Sequence, residues 1–291
     1  MSDIVALAIT DWDPSCPAEL QQRAVAALES GKVLLFPQLR FPFEEGEQQL
    51  LSPVAAGHAK NVSLDPLSGG VRGSDADEAE LELLRQMMTR FATLSTALVC
   101  AVLPRYASAL QRARTSYRPV EVAGRPTSWR KDDTRLHVDS FPSSPVQGRR
   151  ILRVFTNLHP QGVTRKWRLG EPFEDLARRY VPAIPAPLPG SSFLLNALHV
   201  TKSRRSAYDH FMLRLHDRMK ADAAYQAQAV RESFEFPAGV TWMVYTDQVS
   251  HAAMGGQYAL EQTFLLPVEA MLDPARSPLR VLEKLRGRAL A

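Results

Sequence analysis

The hydrophobic pattern changes character about a third of the way along the chain. Up to about residue 103 the apolar positions suit helices. Ser15 can cap a helix over about 17–30, with Glu19 in its first turn and Gly31 at its end. Val33-Leu-Leu-Phe36 then reads as a buried strand that Pro37 stops. Asp75 or Asp77 can cap a long helix running to about Leu103, in which Leu81, Leu84, Met88, Phe91, Leu94 and Leu98 form a core-facing stripe. Beyond it, short β-like runs appear at 135–140, 151–158, 192–195, 233–236, 241–246 and 259–266, punctuated by proline, glycine and asparagine. A helical insertion at about 204–224 interrupts them, and a last helix closes the chain. Helices first and many short strands after predict a mainly β fold with flanking α-helices, a sandwich or barrel buttressed from its N-terminal side. One domain is expected over 1–291: largely helical support over 1–125, a jelly-roll core over 126–268 and a C-terminal helix over 269–291.

A chain of 291 residues can bury a sizeable core. It contains no run of 18 apolar residues, so no transmembrane helix is expected. Asp3, Asp11 and Asp13 near the start argue against a secretory leader, and Cys16 and Cys100 make no disulfide framework. The chain reads as cytoplasmic. Its net charge of +4 is unevenly spread: residues 105–179 hold 16 basic and 7 acidic residues, a local excess of +9. Arginines outnumber lysines 28 to 7. Arginine grips carboxylates and phosphates with a planar fork, so the central segment suits a partner carrying those groups. Salt-bridged surfaces in an arginine-rich proteome would give the same count.

Seven histidines are present, and His137 alone has an acid two residues on, in Leu136-His137-Val138-Asp139. On a strand, a period of two puts His137 and Asp139 on one face. One histidine and one carboxylate supply two corners of a metal site, and a second histidine completes a facial triad suited to non-haem iron(II). An isolated H-x-D arises by chance in roughly a third of chains with seven histidines, so its weight comes from context. His251 lies 112 residues beyond Asp139, just past the apolar run 241–246, where a barrel's rim ligand would sit. That spacing suits a double-stranded β-helix of the jelly-roll, cupin-like kind. In the strand Arg150-Ile-Leu-Arg-Val-Phe-Thr-Asn157, Arg153, Phe155 and Asn157 share a face. An arginine pointing into a barrel needs a carboxylate to meet it, which a dicarboxylate cosubstrate would provide. An edge-strand arginine facing solvent is the other reading.

No H-E-x-x-H, G-x-S-x-G or P-loop signature occurs. His210 and His216 are six apart and do not share a helix face. At the C-terminus Arg276, Arg280, Lys284 and Arg288 repeat every fourth residue beside Leu279, Leu282 and Leu285. Such a helix could rest on an anionic membrane or pack on its own domain.

Several stretches together resemble the Kdo 3-hydroxylases of Gram-negative bacteria. They are Ser128-Trp-Arg-Lys-Asp-Asp-Thr-Arg-Leu-His137-Val-Asp139-Ser-Phe-Pro-Ser143, the strand 150–157, Gly170-Glu-Pro-Phe-Glu174, Lys60-Asn-Val-Ser-Leu64, His251, and Gly256-Gln-Tyr-Ala-Leu-Glu-Gln-Thr-Phe264. The resemblance implies an enzyme using iron(II), 2-oxoglutarate and O2. It would hydroxylate carbon 3 of 3-deoxy-D-manno-oct-2-ulosonic acid (Kdo) on a lipid A precursor to give Ko in the lipopolysaccharide inner core. By position, His137, Asp139 and His251 match the family's iron ligands. In the wider superfamily an arginine on the strand after the distal histidine commonly grips 2-oxoglutarate; residues 257–264 contain none. Arg153 is therefore expected in that role, with Asn157 second. Arg130, Lys131, Arg135 and Arg150 are candidates for the sugar carboxylate or lipid phosphates. A Kdo-lipid A type glycolipid implies work at the cytoplasmic face of the inner membrane, with peripheral contact. No nucleic acid and no obligate protein partner are expected. The alternatives are a related enzyme acting on another anionic substrate and a non-catalytic polyanion or membrane-surface binder.

Overall fold

The structure, a computed structural model, describes residues 3–52, 59–229 and 232–291; His58 lies outside them. The elements in order are β1 (Ile4–Ala6), α1 (Ala18–Glu29), β2 (Val33–Phe36), β3 (Val62–Leu64), β4 (Val71–Arg72), α2 (Glu78–Val102) and β5 (Gln111–Arg118). Then come β6 (Arg150–Asn157), β7 (Arg165–Leu169), α3 (Phe173–Tyr180), α4 (Ser191–Ala197), α5 (Ala207–Ala221) and α6 (Ala223–Gln228). The last are β8 (Glu232–Phe236), β9 (Thr241–Tyr245), β10 (His251–Gly255), β11 (Ala259–Leu266) and α7 (Pro278–Arg286).

An eight-stranded sheet, ordered β1-β2-β9-β6-β11-β5-β3-β4, faces a three-stranded sheet ordered β10-β7-β8. Strand parity explains the layering. In β2, β6 and β9, Val33, Leu35, Phe155, Trp242 and Val244 turn towards the small sheet and meet Trp167, Leu169 and Phe236. Trp242 stacks on Phe155 (5.2 Å between centroids) and on Phe236 (4.1 Å), closing the sandwich with large aromatic surfaces. The alternate residues Leu34, Phe36, Leu152, Val154, Met243 and Tyr245 join the core beneath α1 and α2. Both faces of the large sheet are thus covered, and a polar inward residue marks a place where something other than packing is required.

Asp77, not Asp75, caps α2, accepting from the Glu80 N–H at 2.9 Å. Pro17 rather than Ser15 precedes α1, and Gly31 turns the chain out at φ +82°. The expected helical support over 1–125 needs amending, because β1 to β5 from this region are strands of the large sheet. The run at 192–195, expected as a strand, is the helix α4, and β7 and α3 were not anticipated. Residues 135–140 pair at a single bridge, His137 with His251, rather than forming a regular strand. The C-terminal helix packs on its own fold: Leu279, Val281 and Leu282 of α7 are buried, and Arg276 and Arg280 pair with Asp273 and Glu283.

Candidate metal centre

The pairing that ties the 137–139 segment to β10 also assembles the site. The His137 N–H donates to the His251 carbonyl (3.0 Å), the His251 N–H returns the bond (2.9 Å), and the Asp139 N–H donates to the Thr246 carbonyl (2.8 Å). Ligand atoms of His137, Asp139 and His251 all lie within 4.8 Å of one another. Each imidazole is oriented by a carbonyl, which can only accept. His137 Nδ1 donates to Arg135 O at 2.7 Å and His251 Nδ1 to Val249 O at 2.8 Å, so both Nε2 lone pairs are left to face the centre. Trp167 stacks against His251, 5.1 Å between centroids and 22° between planes.

Burial drives the His137 pKa down to about 3, against the opposing pull of Asp139, and lowers that of His251. Burial alone would raise Asp139, but Arg153, at 3.2 Å, and His137 hold it well below the carboxylate range. Two neutral imidazoles and one carboxylate are therefore ready as donors at neutral pH, with no proton to displace. Two nitrogens and one oxygen in a closed corner form the 2-His-1-carboxylate set of non-haem iron(II), and the residues fit that metal.

The triad opens on a cavity of about 330 Å³ whose lining includes seven lysine or arginine side chains and two aspartates. Most of these charges are already matched. Arg153 bridges Asp139 and, at 3.0 Å, Glu261 of β11. Arg118 donates to Glu261 at 2.9 Å, and Lys60 and Arg125 pair with Asp133. Among the described residues Lys131 and Lys220 form no ion pair, Lys220 Nζ donating to Arg130 O at 3.0 Å, and neither does Arg165. Arg165 is 2 % exposed, and among the described residues no carboxylate lies within ion-pair distance of it. Its Nη1 donates to Gly256 O at 3.1 Å, while its Nε and the Trp167 Nε1 have no partner. Burial and the nearby Arg118 push its pKa down to about 10. Gly256, at φ +104°, lets the chain cross here, since a Cβ would stand 3.0 Å from the Arg165 Cα. A buried guanidinium with no carboxylate partner and an indole N–H with no acceptor fit the carboxylate of a small ligand.

The residues expected from sequence fall into three groups. His137, Asp139 and His251 come together, and Arg153, Arg130 and Lys131 line the same cavity. Arg135 does not line it; its Nη1 donates to Lys220 O at 2.8 Å. Arg150 and Asn157 are corrections. Arg150, three residues from Arg153, has the opposite parity and is fully buried away from the cavity, bonded to Asp247 at 2.8 Å and Gln248 at 2.7 Å, over the Tyr245 ring. Asn157 has the right parity but sits at the strand end, where its side chain bonds the backbone of Val163, Phe236 and His159. Arg165, Trp167, Arg118, Lys220 and His216 were missed; His216 stands 5.4 Å from the His137 ring. The signal for two of them was the alternation Arg165, Trp167, Leu169, obscured by the charged Lys166 and Arg168 between.

The buried Arg150–Asp247 pair has a measurable consequence. Arg150→Met should leave Asp247 buried without its counter-charge and reduce unfolding free energy by about 3–5 kcal/mol, since breaking one side of a buried pair exposes the full desolvation cost. Denaturant titration checks this, with unchanged cosubstrate and sugar KM in the folded variant. An unchanged unfolding midpoint would contradict the structural role.

The family model described as 3-deoxy-D-manno-oct-2-ulosonic acid (Kdo) hydroxylase matches residues 11–289. No curated protein matches the chain. Among solved structures, it is similar to the Kdo hydroxylase KdoO, a non-heme Fe(II) alpha-ketoglutarate-dependent dioxygenase. The KdoO complex with alpha-ketoglutarate and Fe(III) is 46% identical, with a TM-score of 0.95 and cover of 99% of this chain and 97% of that one. The cobalt(II) complex is 47% identical, with a TM-score of 0.96 over the same shares.

Proposed function

The chain belongs to the Kdo hydroxylase family, and from that membership we propose that it hydroxylates carbon 3 of Kdo carried on a lipid A precursor. It is an Fe(II)/2-oxoglutarate-dependent dioxygenase on the double-stranded β-helix, and the observation that carries the substrate-level reading is the cationic cavity beside the triad. We read the whole chain as one catalytic unit.

His137, Asp139 and His251 hold the iron. Bound there, iron supplies oxygen activation coupled to oxidative decarboxylation of 2-oxoglutarate. The chain's part is positioning. The carbonyls of Arg135 and Val249 fix the imidazole tautomers, and Arg153 holds Asp139 charged and aligned. Arg165, with the Trp167 N–H, grips the far carboxylate of 2-oxoglutarate from β7. That strand is the hydrogen-bonded neighbour of β10, which His251 begins. The clamp therefore comes from the strand paired with β10, Trp167 lying against His251 and Arg165 against Gly256, even though the next strand in sequence has no arginine. Arg130, stacked on Trp129 at 4.1 Å, and the exposed Lys131 stand where the sugar carboxylate would enter. Phe155 and Trp167 wall the inner side and limit water.

Among the described residues no helix is long and apolar enough to cross a membrane. A lipid-borne sugar then has to be met at a bilayer surface, and we place this work at the cytoplasmic face of the inner membrane. The test is succinate release with iron and 2-oxoglutarate, with and without a Kdo-lipid A acceptor. Stimulation by the acceptor and a product heavier by one oxygen are expected. Equal release on an acceptor lacking Kdo, with no oxygen added to the sugar, would overturn the assignment.

A further inference from the structure

The segment from Leu188 to Arg205 presents apolar side chains to solvent in a way the rest of the described surface does not. Leu188, Phe193, Leu194, Leu198 and Val200 are 77, 59, 57, 64 and 53 % exposed, five large apolar side chains within 13 residues. Exposed apolar clusters on a water-soluble surface mark contact sites. The sequence between Asp175 and Asp209 holds five basic residues and no acidic one. Lys202 and Arg204 are exposed, Arg205 is half-buried, and Arg214 and Arg218 are exposed on the adjoining α5. Arg178 and Arg179 pair with Glu174 and Glu171, but Lys202, Arg204, Arg205, Arg214 and Arg218 form no ion pair among the described residues. Arg204 lies over the Phe193 ring at 5.3 Å, so charge and apolar surface are interleaved.

The segment is also fastened to the mouth of the metal cavity. The Lys202 N–H donates to Ser143 O at 2.9 Å, and Arg205 Nη2 donates to Pro142 O at 2.7 Å. Pro142 itself lines the cavity. Between α4 and α5 runs a groove of about 620 Å³ lined by Leu188, Leu195, Arg205, Arg214 and Arg218, and Arg130 lines both this groove and the metal cavity.

We propose that the 188–205 segment, with the outer face of α5, docks the enzyme on an anionic bilayer. Phe193, Leu194 and Leu198 enter the headgroup and acyl boundary, and the flanking lysine and arginines meet lipid phosphates. Charge selects this occupant. A second copy of the chain would bring five unpaired cations against five more, whereas anionic headgroups neutralise them. The proposal rests on the reading that the substrate is a bilayer-held glycolipid, and it assigns membrane contact to α4 in place of the C-terminal helix, whose Leu279, Val281 and Leu282 are buried and of whose apolar side chains only Leu285 is exposed.

Vesicle flotation tests it, comparing phosphatidylglycerol-containing with pure phosphatidylcholine vesicles at low and high salt. Wild type should bind the anionic vesicles and release as salt screens the charges. Phe193→Ser/Leu194→Ser/Leu198→Ser, and separately Lys202→Glu/Arg204→Glu, should weaken partitioning at least about tenfold. Lys284→Glu/Arg288→Glu at the C-terminus should bind as wild type. Succinate release on a water-soluble, deacylated Kdo saccharide reports the fold and site of each variant and should stay within about twofold of wild type. Unchanged vesicle binding in both segment variants overturns the proposal. So does loss of binding only in the C-terminal variant, an equal loss of turnover on the soluble saccharide, or a wild type that self-associates without floating. A wild type that floats through this segment yet never turns over any Kdo acceptor would leave docking standing and remove the substrate reading.

Discussion

Replacing His137 with alanine should lower 2-oxoglutarate-dependent succinate release at least about a thousandfold, because the metal's chemistry is the reaction's chemistry. Its Nε2 is one of three donors within 4.8 Å, and nothing nearby takes its place: His216 is 5.4 Å away between ring centroids and its Nδ1 contacts Asp217. The variant also leaves the Arg135 carbonyl without its imidazole partner, a loss of only about 1 kcal/mol, so the protein should stay folded. Cobalt(II) titration should show a large fall in affinity, and Asp139→Asn should weaken it through charge while keeping shape. Turnover within tenfold of wild type in His137→Ala, with iron bound, would remove His137 from the ligand set.

What could be read from the sequence was local. His137 and Asp139 are two residues apart, and the parity of one extended segment was enough to put them together. His251 needed only the apolar run before it, because β9 leads straight into the turn that delivers it. Long-range pairing was harder. Arg165 reaches the site because β7 lies against β10, with Leu169 opposite His251, a register no local pattern encodes. Its strand carries Arg165, Lys166 and Arg168, and so much charge in five residues looks like surface, yet Arg165 is buried and Lys166 exposed. Arg150 could have been set aside on parity alone, since three residues along β6 from Arg153 is the opposite face. The run at 192–195 misled for the reverse reason: Phe193 and Leu194 look like a buried strand but stand exposed on a short helix between Gly190 at φ +76° and His199 at φ +55°. Apolar residues that are not buried are invisible to a reading that assumes burial.

Arg165→Met should weaken 2-oxoglutarate binding about 10- to 150-fold, the span of a lost charge-assisted hydrogen-bonded contact of about 1.5–3 kcal/mol. The KM for the Kdo acceptor should move far less, because the loss is confined to one ligand. A second readout distinguishes a clamp from a structural arginine. Without cosubstrate, Arg165 is a buried cation with no paired carboxylate, its Nε unpartnered and its pKa lowered by burial to about 10. Removing such a charge relieves desolvation, so the apo variant should unfold at a higher temperature than wild type. Adding 2-oxoglutarate to cobalt-loaded protein should then stabilise wild type and hardly stabilise the variant. Arg153→Met should behave differently. Its guanidinium bridges Asp139 and Glu261, so its loss leaves two buried carboxylates and should reduce metal affinity and stability together. If Arg165→Met binds 2-oxoglutarate within threefold of wild type while Arg153→Met loses it with its metal intact, the clamp belongs to Arg153. The uncompensated charge of Arg165 would then need another anion, the sugar carboxylate being the one the same cavity must admit.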